Sequence, residues 1–136
     1  MTYFADLTPY TYLSRQGTNN EVNIGWLDRS HPFQHGQVPD RVLAEIFLLC
    51  KDPVNRTRGW HYCELCPRSD LQPFRAARDG IEIGLGSAEI RVPSGSGVVF
   101  ACPNLIYHYI RDHSYQPPQE FIDALLNISE SRSRQP

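Results

Sequence analysis

The sequence predicts a single α+β domain, a small antiparallel sheet attended by about three helices, and three observations carry that prediction. A chain of 136 residues suits one domain and can bury roughly two-thirds of the surface its unfolded form exposes. Apolar residues recur at helical spacing between Pro39 and Cys50. They alternate with polar ones from Ile81 to Val92, with glycine-rich turns between the runs. The domain should occupy residues 1–128, leaving 129–136 as a flexible polar tail.

The first twenty residues mix Tyr3, Phe4, Tyr10 and Tyr12 with turn formers and predict an irregular segment laid on the core. Asn23 to Leu27 could form a short strand. From Pro39 to Cys50 a helix is expected: Pro39 suits a first turn, Asp40 complements the dipole, and Val42, Leu43, Ile46, Phe47, Leu49 and Cys50 make one broad stripe. Pro53 ends it. Residues 55–79 should be irregular. The runs 81–85, 88–92 and 98–102 then read as an antiparallel meander, its last turn made by Pro93-Ser94-Gly95-Ser96-Gly97. Helices are expected from about Asn104 to Asp112 and from Pro118 to about Asn127, the latter burying Phe121, Ile122 and Leu125.

Composition narrows the function. Hydrophobic residues make up 40% and charged residues 21%, ordinary values for a globular protein. Thirteen basic against fifteen acidic residues give a net charge of −2, which argues against a nonspecific nucleic-acid binder. Lys51 is the only lysine, a bias that a GC-rich genome explains. The opening residues lack a secretory pattern, and the apolar run Ile46 to Cys50 is far too short to span a bilayer. A cytosolic location is therefore expected, and with it four reduced cysteines directed toward metal or redox chemistry rather than disulfides.

The sharpest chemical signal is Trp60-His61-Tyr62-Cys63-Glu64-Leu65-Cys66-Pro67. Two cysteines with two residues between them can turn both sulfurs toward one point, the grip of a zinc knuckle. Thiolates are soft ligands, and zinc accepts a tetrahedron without electronic preference. A structural site needs four ligands, so imidazoles must complete it. His61, two residues before Cys63, and His108 are the preferred partners, with His113 or Cys102 as alternatives to His61. The four residues between His108 and His113 fall within zinc-finger spacing. A knuckle, a hairpin and a helix around one ion are loosely like a treble clef, although 41 residues separate Cys66 from His108. A thioredoxin-like redox pair would need a helix after the cysteines, and Pro67-Arg68-Ser69-Asp70 follows instead. Cys50 and Cys102 end apolar stretches and are expected in the core.

Two further clusters stand out. Trp26 to Gly36 holds His31 and His35, but Pro32 and Gly36 argue against one helix presenting both. It is expected to be a loop anchored by Trp26 and Phe33. Arg56-Thr57-Arg58-Gly59-Trp60 could meet a phosphate or a base, or compensate the charge of two thiolates, and the second role is preferred.

The segments Asn23-Ile24-Gly25-Trp26-Leu27-Asp28 with His31-Pro32-Phe33, Thr57-Arg58-Gly59-Trp60-His61-Tyr62-Cys63-Glu64-Leu65-Cys66, and Pro103-Asn104-Leu105-Ile106-Tyr107-His108-Tyr109 with Pro117-Pro118 resemble a family of uncharacterised bacterial proteins. The likeness runs from about Tyr3 to Leu126. It implies a bacterial source and a stand-alone domain, and it implies no activity.

The expected function is a noncatalytic domain stabilised by structural zinc and bound to another protein. One alternative is a metal-dependent hydrolase or nuclease with an open zinc position beside Glu64, Asp112 or His113. Another is a nucleic-acid-binding module using Arg56, Arg58, Arg75 and Arg78.

Overall fold

A computed structural model describes residues 3–11, 20–67 and 74–134. Three expectations reach outside them: the placement of Tyr12, the polar run 68–70 after the cysteine pair, and the last two residues of the tail, 135–136. The described elements are β1 (Glu21–Asn23), α1 (Asp40–Cys50), β2 (Arg75–Arg78), β3 (Ile81–Gly84), β4 (Glu89–Pro93), β5 (Val99–Pro103), α2 (Ile106–His113) and α3 (Gln119–Ser133).

The α+β class holds, but the strands do not form one meander. β4 and β5 pair antiparallel across the glycine-rich turn, and β1 joins the other side of β5 in parallel, giving the order β1-β5-β4. The central strand carries the buried residues Phe100, Ala101 and Cys102. β3 pairs instead with β2, from Arg75↔Gly84 to Arg78↔Ile81. The cause is local. Asp79 and Gly80 both have positive φ, 52° and 79°, as a tight two-residue hairpin turn requires. The outer edge of β4 is meanwhile claimed by the segment after α1, where Val54 and Glu89 exchange backbone hydrogen bonds of 2.8 Å. The edge of β1 is likewise covered by the bridge Pro9↔Val22, and the bridge Phe4↔Trp26 continues the pairing just past the strand.

On α1, the stripe Val42, Ile46, Phe47 and Cys50 is buried, and the helix packs against α2, α3 and β4. Its one buried charge, Glu45, meets Arg132 of α3 through hydrogen bonds of 2.8 and 3.2 Å. That pair explains why α3 runs to Ser133, through most of the segment expected to be a loose tail. The fully buried stripe ends at Leu125, and partly buried Leu126 and Ile128 extend the apolar contact. Beyond them the helix is held by Arg132 to Glu45 and by Ser133 Oγ donating to Ser129 O.

Candidate metal centre

Cys63 and Cys66 lie on a tight turn, closed by the Cys66 N–H donating to Cys63 O at 3.3 Å. Burial pushes the Cys63 thiol up to about 12, with the nearby Leu65 and Cys66 backbone N–H groups pulling the other way. Arg29, from the loop after β1, clamps the turn from outside: its Nε donates to Glu64 O at 2.8 Å and its guanidinium reaches Cys66 O at 3.5 Å.

The helix facing this turn starts from a shared anchor. Asn104, just before α2, accepts the Gly86 N–H on its side-chain oxygen at 2.7 Å and donates its own N–H to Ala88 O at 3.0 Å. Gly86 O in turn accepts the His61 N–H at 2.7 Å. The β3–β4 connection thus ties the approach to the cysteine turn and the start of α2 to the same residue. Only glycine serves there. Its φ is +98°, and a Cβ would stand 2.6 Å from His61 O.

So positioned, α2 brings two imidazoles onto the sulfurs. His108, buried against Phe74, places Nε2 3.2 Å from Cys66 Sγ. His113, the last helical residue, places Nε2 3.3 Å from Cys63 Sγ and 3.4 Å from Cys66 Sγ. All four donor atoms lie within 4.8 Å of one another. A zinc tetrahedron with bonds near 2.3 Å to sulfur and 2.0 Å to nitrogen has sulfur–nitrogen edges of about 3.5 Å, so the observed separations fit around one ion.

The surrounding charges suit a metal. Burial, above all, lowers the pKa of both His108 and His113, which favours the neutral imidazole that coordinates. Nδ1 of His108 faces Asp112 Oδ2 at 2.7 Å, a close approach bent away from the ideal hydrogen-bond direction. Asp112 is itself held by Arg111 at 2.8 Å. Burial pushes the Asp112 carboxyl up, but Arg111 and His108 outweigh it and keep it below its ordinary range. A carboxylate behind a ligating histidine fixes the ring and raises its basicity. Two thiolates, two neutral imidazoles and a divalent cation then sum to zero charge.

Of the residues singled out in the sequence, Cys63, Cys66 and His108 come together, and His61 does not join them. Its main chain is bound to Gly86, and its ring lines a small separate cavity with Trp26, Asn55 and Glu89. The fourth donor is His113. Cys50 and Cys102 are buried away from the group, their thiols raised by burial. His31 stacks on Tyr3 and contacts Asp28, while His35 stacks on Phe33, so neither approaches the cysteines. Arg56 and Arg58, expected beside the thiolates, have no contact with them, and Arg29 holds the turn instead. No sequence signal marked Arg29, which lies 35 residues from Glu64.

Fold and site together define an α+β domain with a two-cysteine, two-histidine cluster able to hold a metal ion. The chain belongs to a family described as a domain of unknown function, DUF7919, which matches residues 2–126. No curated protein and no solved structure matches it. Among the described residues, no helix is long and apolar enough to cross a membrane.

Proposed function

We propose that this is a noncatalytic domain whose fold is completed by one structural zinc ion, held by Cys63, Cys66, His108 and His113, and whose role is to present a surface to another macromolecule. The observation that carries this reading is the convergence of four donor atoms within 4.8 Å. Two sulfur and two nitrogen donors favour zinc over harder cations, and four protein ligands around a tetrahedral ion would leave no position for a reacting water. Two of the three candidate bases of a hydrolase, Asp112 and His113, are already engaged in building the cluster, which supports the noncatalytic reading. A zinc ion so bound contributes on the order of 10 kcal/mol, comparable with the whole stability of a small domain. The near-neutral charge of the chain disfavours a partner that would need many phosphate contacts, such as a broadly coated duplex.

Cobalt substitution tests the closed coordination. The Co²⁺ form should show the strong visible bands of a tetrahedral site and thiolate charge transfer, unchanged by added azide. Weak octahedral bands, or a spectrum that moves with azide, would refute a closed structural site.

A further inference from the structure

The stretch leading into the cysteine turn carries a second feature that the metal does not use. Thr57 donates its N–H to Ser87 O at 2.7 Å, and His61 donates to Gly86 O at 2.7 Å. The two anchors fall on adjacent residues, whereas three residues lie between Thr57 and His61. Arg58, Gly59 and Trp60 must therefore bulge from the surface. The bulge is braced from within by Thr57 Oγ1 donating to Gly59 O at 3.0 Å. Trp60 is 44% exposed and Tyr62 40%, high values for such large rings.

The cations that precede these rings in the chain are not engaged elsewhere. Arg75, Arg78, Arg91, Arg111 and Arg132 each face a carboxylate, and Arg29 faces backbone carbonyls. Among the described residues, Arg41, Lys51, Arg56 and Arg58 have no such partner and are exposed, and the last three fall within eight residues of one another just before the rings. Residues 51–62 hold three cations and one anion inside a chain that is acidic as a whole. Two guanidinium groups, Arg56 and Arg58, followed by two exposed rings, Trp60 and Tyr62, along a segment pinned at Thr57 and His61, supply both parts of such a site: rings on which bases stack and arginines that meet phosphates. Pinning matters because a loop already ordered loses little entropy on binding.

We propose that the loop Arg56–Tyr62 binds single-stranded nucleic acid, with Trp60 and Tyr62 stacking on bases and Arg56 and Arg58 contacting the backbone. The net charge of −2 disfavours a broad coat on a duplex, which needs many phosphate contacts, and leaves room for a short stacked segment. Stacking of this kind is tolerant of sequence, so a simple probe suffices. A protein partner could use the same residue types, and the experiment separates the two.

The test is fluorescence anisotropy of labelled oligo-uridylate and oligo-thymidylate with the whole chain, from about 50 to 200 mM salt. Wild type should bind at low salt, with log K falling against log salt at a slope near −1.4, about 0.7 for each of two phosphates. Removing either ring, by W60A or Y62A, should weaken binding roughly five-fold or more. R56A/R58A should flatten the slope. Tighter binding of the RNA or of the DNA names the natural ligand. Zinc content and melting, measured on the same samples, should match wild type. Wild type that carries no zinc yet binds the oligonucleotides would refute the zinc reading and leave this proposal standing. No binding at low salt, binding insensitive to the ring substitutions, or an unchanged slope in R56A/R58A would overturn it.

Discussion

Replacing Asp112 by asparagine should weaken zinc binding without touching a ligand. The carboxylate stands 2.7 Å from His108 Nδ1, and asparagine keeps its shape while removing its charge. Loss of such an outer carboxylate costs about 10- to 100-fold in metal affinity, or roughly 1.4–2.7 kcal/mol. At a fixed free-zinc level well above Kd, that loss passes directly into stability. For a domain of this size it corresponds to a fall in Tm of roughly 4–10 °C. The assay is competition with a zinc chelator of known affinity, paired with melting in buffered zinc. Excess chelator should bring the melting curves of the two proteins together, because the difference resides in the metal. An affinity equal to wild type, or a Tm gap that survives chelation, would refute the assignment of Asp112 as support for His108.

Two other outcomes follow from the structure. Arg132→Ala strands the buried Glu45 carboxylate and should cost about 1–2 kcal/mol, at the low end for such a pair because Arg132 is itself half exposed; urea unfolding measures it, and no change would mean the pair contributes nothing. In metal-free protein, the lowered pKa values of His108 and His113 mean that the unfolded chain binds more protons. Stability should therefore be full above about 6.5, the ordinary histidine value, and decline as pH falls below it; a flat profile from neutrality downward would contradict that sign.

Much of this was legible in residue spacing, and what was not has definite causes. The stripe of α1 was visible because it is apolar at the helical period. The polar end of α3 carries no such stripe and depends on Glu45, a residue 87 positions away. β2 is too short and too basic to signal a strand, although Asp79-Gly80 is the turn that makes it one half of a hairpin. Spacing pointed to the knuckle and to α2 as sources of ligands. It could not choose between His61 and His113, because that depends on Gly86 tying the His61 backbone toward the other side. Arg29 was invisible for the same reason as Glu45: its partners are near only after folding.

The most direct test is elemental analysis of purified wild type, Cys63→Ser, His113→Ala and His61→Ala. The arrangement predicts one zinc per chain in wild type and His61→Ala, and a loss of that zinc in Cys63→Ser and His113→Ala. Wild type without zinc after metal-replete preparation, or zinc lost on His61→Ala and kept on His113→Ala, would contradict it.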